Sequence, residues 1–160
     1  MTAPATPFIY QPDPANPGWH SWDSADNRLF NAQVLGKLLV RQEETAGGTP
    51  IVRMRMNTQT QHTNVLGNVH GGTIMALSDV VLFATFHILT GGDAAGAVTL
   101  DMNHQFIGAG RIGQPLDAVA EVLRETGRLA FLRGMIEQDG APVAAFSATI
   151  RKPSGRKASQ

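Results

Sequence analysis

The sequence predicts an α+β fold: one curved antiparallel β-sheet wrapped around a single long helix. Three observations carry that reading. Residues 73–89, TIMALSDVVLFATFHIL, are apolar on almost every side, so a helix there must be covered all round rather than along one stripe. Four extended runs follow it, separated by short turns, the pattern of consecutive antiparallel strands. Two more precede it, and in one of them Val52, Met54 and Met56 alternate with Ile51, Arg53 and Arg55. That is period two, with one face buried and one face wet. A single sheet curling over one apolar helix satisfies all three demands.

The elements follow in chain order. The first seventeen residues hold five of the nine prolines, so residues 1–22 are expected to be an irregular arm. Residues 23–152 form one domain, and residues 153–160 a polar tail. DSADNRLFNAQVL (23–35) predicts a short helix, with Asp23, Ser24 or Asp26 as caps and Leu29, Phe30, Val34 and Leu35 on one side. GKLLVRQEE (36–44) and PIVRMRMN (50–57) read as a hairpin around Gly47-Gly48. The polar, aperiodic stretch 58–69 is a loop. The long helix runs from about 72 to 89 and stops at Gly91-Gly92, a glycine C-cap. Strands are then expected at 97–107, 115–125, 129–138 and 143–152, as a meander turning at Gly108-Ala109-Gly110, Gly127-Arg128 and Asp139-Gly140.

Composition narrows the function. The chain has 160 residues, enough for one domain with a real core. Thirteen Lys+Arg balance thirteen Asp+Glu, so there is no electrostatic case for binding nucleic acid. Near-zero charge supplies little colloidal repulsion, which suits a protein that buries surface in an oligomer. No cysteine is present, which excludes disulfides, thiolate metal sites and a cysteine nucleophile. The five histidines, at 20, 62, 70, 87 and 104, show no ligand spacing, so no metal site is expected. The first residues lack the basic start and apolar run of a signal peptide, and the expected location is cytoplasmic. Thr73 to Leu89 approaches membrane-spanning length but carries Ser78, Asp79, Thr85 and His87, so a buried helix, not a membrane span, is expected. GAGRIG (108–113) imitates a dinucleotide motif but runs into Pro115 and a strand, where that motif needs a helix. No GxSxG elbow occurs.

The informative segment is NVLGNVHGGTIMALSD, Asn64 to Asp79. His70-Gly71-Gly72 opens the helix. Unpaired N–H groups and the helix dipole favour negative charge there, and glycine lets a ligand approach the backbone. A carbonyl that becomes an oxyanion suits such a place. Asp79 sits inside the apolar helix, where a carboxylate is costly unless paired or functional. Asn64 lies in a loop able to fold back toward the helix start. Gly71 and Asp79 are eight residues apart, roughly 12 Å along one helix at ~1.5 Å per residue. One helix therefore cannot aim both at one carbonyl. Two antiparallel copies can, so if both residues are catalytic the site is shared and the minimal unit is a dimer.

These residues resemble the hotdog-fold acyl-CoA thioesterases, in particular the phenylacetate-degradation (PaaI-like) group. The resemblance covers roughly residues 36–152 and rests on Asn64, Gly67, His70, Gly71, Gly72, Asp79 and the strand VTLDMN (98–103). It implies a hotdog fold and hydrolysis of an acyl-CoA or aryl-CoA to the free acid and coenzyme A. It implies Asp79 as general base or nucleophile and the Gly71 N–H as donor to the thioester carbonyl. Asn64 would position water or carbonyl, His70 would support the loop, and Thr99 would orient water. It also implies a homodimer, or a homotetramer built as a dimer of dimers, with the acid and the glycine on opposite subunits. Coenzyme A is then part of the substrate, and no cofactor is expected. Gly72 would line the substrate site, and Arg151, Lys152, Arg156 and Lys157 are candidates for its phosphates. An acyl-carrier-protein thioesterase and a non-catalytic acyl-CoA-binding module are the competing readings. Binding modules of that kind occur in ligand-sensing regulators with a DNA-binding helical module, for which no room and no basic excess are expected here. Leu82, Phe83 and Phe86 are read as core packing before groove lining.

Overall fold

The computed structural model describes residues 8–153. Eight strands form one wholly antiparallel sheet: β1 Phe8–Pro12, β2 His20–Ser24, β3 Leu38–Glu44, β4 Pro50–Asn57, β5 Val98–Phe106, β6 Pro115–Glu125, β7 Leu129–Gln138 and β8 Ala141–Arg151. One long helix, α1, Gly71–Thr90, lies against its inner face. Spatial order in the sheet is β1-β2-β3-β4-β6-β7-β8-β5. This is the hotdog arrangement, a sheet curled around a central helix.

The period-two pattern of β4 decides which face is which. Val52, Met54 and Met56 are completely buried against α1. Arg53 and Arg55 project from the other face, where Arg53 meets Glu43, Asp117 and Glu137, and Arg55 takes both oxygens of Asp117. On α1, Leu77, Val81 and Leu82 have no exposure. Burying each such side chain contributes about 1.5–3 kcal/mol relative to leaving it in water. The helix is long and apolar enough to cross a membrane by length and composition, but more than half of it is packed inside the chain.

Both ends of α1 are capped. His70 is the N-cap, and its Nδ1 accepts the Gly72 N–H at 2.9 Å. Gly91 follows the last turn at φ 70, a left-handed conformation that glycine adopts without strain, and its N–H closes on the His87 carbonyl.

Three expectations need correction. Residues 8–12 and 20–24, expected within an irregular arm, are strands that pair with each other and extend the sheet beyond β3. The prolines bound the hairpin rather than prevent it. Pro12 ends β1, and Pro14 and Pro17 sit in the connection, where no ladder N–H is needed. The helix expected over 23–35 shrinks to one π-type turn, Asn31–Leu35, because β2 claims residues up to Ser24. The last four strands are not a simple meander. β5 pairs with β8 at the far edge, and β6 pairs with β4. Residues 107–114 cross the end of the sheet instead of making a tight turn, with Ile107 and Gly108 N–H both on the Val143 carbonyl. Glycine is needed at 108, since a Cβ there would come within 2.7 Å of the Pro142 carbonyl oxygen. Residues 1–7 and 154–160, including Arg156 and Lys157, lie outside the described residues.

Candidate active site

The loop before α1 is built from its own polar side chains. His62 is buried and fixed at both ring nitrogens. Nδ1 accepts the Gln59 N–H at 2.8 Å, which leaves Nε2 to donate to the Val34 carbonyl at 2.6 Å. The His62 carbonyl in turn accepts the His70 N–H at 2.7 Å. Asn64 holds the next turn. Its Oδ1 accepts from Leu66 and Asn68 N–H at 2.9 and 3.1 Å, while Gly67 turns at φ 81. The Asn64 oxygen is therefore committed to the loop, and its amide NH2 is the group left to point elsewhere.

This scaffold delivers His70-Gly71-Gly72 with its donors sorted. The Gly72 N–H is taken by His70 Nδ1. The N–H groups of Thr73 and Ile74 go to the His70 carbonyl. The Gly71 N–H, first of the helix, has no partner among the described residues. Gly72 owes its identity to the cap, since a Cβ there would stand 3.0 Å from His70 Nδ1. A Cβ at Gly71 would lie 3.4 Å from the rim of the Phe106 ring, which is half exposed and borders the helix start.

Asp79 lies two turns further along α1, half-buried. Thr99 on β5 donates its hydroxyl to Asp79 Oδ1 at 2.7 Å. The ladder of β5 with β8 shifts register between Thr99 and Asp101. Such a bulge beside a site re-aims the side chain next to it. The structure thus brings Asp79 and Thr99 together at one place, and Asn64, His70, Gly71 and Gly72 together at another, on the same helix.

The two basic candidates part company. Lys152 Nζ is held by Glu125 Oε1 at 2.6 Å and the Thr126 carbonyl at 2.8 Å. Arg151 is exposed and stands opposite Val98, the neighbour of Thr99. Among the described residues no three of His, Asp and Glu converge as metal ligands would.

Asp79 lines a cavity of about 260 Å³. Phe83, one turn further along α1, also lines it, whereas Phe86 and Leu82 are fully in the core. Phe8, Trp22, Asp23 and Ser24 of the β1–β2 hairpin and Asn31 line it as well. The sequence assigns Asp23 and Ser24 to a helix cap and gives the hairpin no part in the site. Its signal, the alternation in HSWDS, spans only five residues and follows a proline-rich stretch.

The description that matches the sequence is that of the thioesterase superfamily, over residues 66–145, half of the chain. The chain belongs to this superfamily. Human acyl-coenzyme A thioesterase 13 is similar to it, 31% identical over 99 residues, covering 62% of this chain and 66% of that protein. The chain thus spans just under two thirds of the length of that relative. The zebrafish thioesterase superfamily member 2 superposes with a TM-score of 0.57 at 28% identity, covering 71% of this chain and 80% of that one. The PaaI protein of the E. coli phenylacetic acid degradation operon gives a TM-score of 0.61 at 20% identity, over 78% and 84% of the two chains. The last likeness is one of fold. The superfamily match includes His70, Gly71, Gly72, Asp79 and Thr99, and leaves out Asn64, Arg151, Lys152 and the β1–β2 hairpin.

Proposed function

We propose that the protein hydrolyses an acyl-CoA thioester to a carboxylic acid and coenzyme A, at a site shared by two antiparallel copies of α1. The observation that carries this reading is the pairing of a free helix-start N–H at Gly71 with a half-buried, Thr99-bound carboxylate at Asp79 in a thioesterase-superfamily chain. Their separation of roughly 12 Å along the helix makes them partners only across a dimer.

The chemistry follows from the groups. The thioester carbonyl oxygen of one site accepts the Gly71 N–H of one subunit, where the helix dipole favours the charge it gains. Asp79 of the other subunit has Oδ1 held by Thr99. Its second oxygen either takes a proton from a water that attacks the carbonyl carbon, or attacks that carbon itself, and water then hydrolyses the resulting anhydride. Either way the C–S bond breaks and the thiolate of coenzyme A leaves. His70 keeps the helix start in shape by occupying the neighbouring N–H, so that Gly71 alone faces the carbonyl. The Asn64 amide supplies a donor for water or carbonyl. Arg151, exposed at the Thr99 end of β5, is the basic group proposed for the coenzyme A phosphates, while Lys152 is engaged with Glu125.

Exposed apolar side chains support the dimer. Met75 on α1, Phe106 beside Gly71 and Leu100 in the bulge of β5 are each about half exposed. Val65 and Leu66 stand out at the tip of the Asn64 loop. β5 has one neighbour, β8, which leaves a long strand edge open for a second chain.

Asp79→Asn tests the reading. The substitution preserves shape but neither accepts a proton nor attacks a carbonyl. Turnover of acyl-CoA should fall by roughly 10²–10⁴-fold, with KM changed much less. Near-normal turnover in a folded variant would remove Asp79 from the mechanism.

A further inference from the structure

The β1–β2 hairpin stands outside the part of the chain that matches the superfamily, yet it walls the cavity that Asp79 opens into. Its aromatic residues are locked in place. Phe8 stacks on Trp22 with ring centres 4.5 Å apart at 23°. Both rings, and Tyr10 beside them, pack on His87 of α1 at 5.3–5.9 Å. His87 is itself tied to the Gly92 carbonyl at 2.9 Å. The wall is therefore braced against the last turns of the same helix that carries Asp79 and Phe83.

We propose that this hairpin is the specificity wall of the site, limiting the acyl group to a short chain or a single ring. The inference rests on the reading above in placing the thioester carbon beside Asp79. With the carbon there, the acyl group points along α1 toward Phe83 and meets Trp22 and Phe8. A cavity of about 260 Å³ is larger than the ~150 Å³ that encloses a benzene molecule. It falls below the ~300–1,000 Å³ of sites for larger ligands. One ring with a short link fits inside it, and a long alkyl chain would have to extend beyond it, past the hairpin. The lining includes Asp79 and Asp23 and no basic residue, so an acyl group ending in a carboxylate is disfavoured.

The size limit gives a sign that binding can read. In an open apolar groove each added methylene tightens binding by about fourfold. A walled pocket reverses the trend once it is full. The experiment uses thioether analogues of coenzyme A, which bind without being cleaved: S-butyl, S-benzyl, S-dodecyl and S-(3-carboxypropyl). Binding is measured by calorimetry on the intact protein, with its tryptophan fluorescence as a second readout. The wall predicts that butyl and benzyl bind at least roughly tenfold more tightly than dodecyl and carboxypropyl. Phe83→Ala and, independently, Phe8→Ala should narrow the gap for dodecyl. Affinity that rises with chain length in the wild type, or a butyl-to-dodecyl ratio unmoved in both folded variants, overturns the wall. Hydrolysis of the matching acyl-CoAs is scored separately. Selective binding without turnover refutes the hydrolase reading and leaves the wall standing. Turnover with no size selection refutes the wall alone.

Discussion

At the residue scale, the contact between Thr99 and Asp79 is where the proposed mechanism is most open to test. A hydroxyl donating to a carboxylate at 2.7 Å fixes one oxygen and leaves the other to react. A hydrogen bond to a charged group is worth about 1.5–3 kcal/mol, so its full loss in the transition state would lower kcat by roughly 10–150-fold. Thr99→Val should show that loss with little change in KM, and Thr99→Ser should recover most of it. Steady-state kinetics on the three proteins checks this. A valine variant with unaltered kcat would mean that the hydroxyl merely satisfies the carboxylate. Both residues were visible in the sequence, Asp79 as an acid in an apolar helix and Thr99 only through resemblance. The bulge beside Thr99 was not visible, because Val98, Leu100 and Met102 keep an unbroken alternation across it.

At the element scale, the β1–β2 hairpin depends on a carboxylate. Asp13 is buried in the connection between the strands. It accepts from the Ala15 N–H, the Asn16 amide and the Ser21 hydroxyl, and forms an ion pair with Lys37. Lys37 first, and then Asn16, hold its carboxyl at about 2, below the ordinary carboxylate range. Between that value and the unfolded value of about 3.9 the folded state binds fewer protons. The stabilisation is thus complete above about pH 4 and fades as pH falls toward 2. Both tryptophans of the chain, Trp19 and Trp22, belong to this unit, so their fluorescence reports on it directly. The wild type should show a hairpin transition between about pH 4 and pH 2. Asp13→Asn should lose that acid step and melt at a lower temperature at pH 7. An acid profile identical in the two proteins would contradict the assignment.

The same hairpin marks where sequence reading stopped. The β3–β4 pair, α1 and the boundaries of β6 and β7 follow from local pattern: period two, an apolar helix between polar cap and glycine, and Gly or Asp turns. The hairpin was hidden because its strands are five residues each and proline dominates the connection. Its rings pack on His87, a contact that for Phe8 joins residues some eighty positions apart. The place of β5 was hidden for a related reason. Strand order is set by which ladder the crossing loop permits, and Gly108-Ala109-Gly110 looks the same in a tight turn as in a crossing.

At the scale of the whole molecule, the length of α1 decides what one chain can supply. Gly71 and Asp79 share one helix but sit roughly 12 Å apart along it, so the proposed site needs two chains. Mixing two inactive variants measures this directly. Asp79→Asn removes the acid. Gly71→Val places a branched side chain over the free N–H, and its nearest neighbour, the half-exposed Phe106 ring, has room to shift. The two are unfolded and refolded together, with dimer formation and folding confirmed by light scattering and circular dichroism. In a two-fold dimer with random pairing about half the dimers are mixed, each with one doubly altered site and one intact site. Activity should return to about a quarter of the wild-type value. Background activity in proven mixed dimers would place both residues of each site on one chain and contradict the shared site.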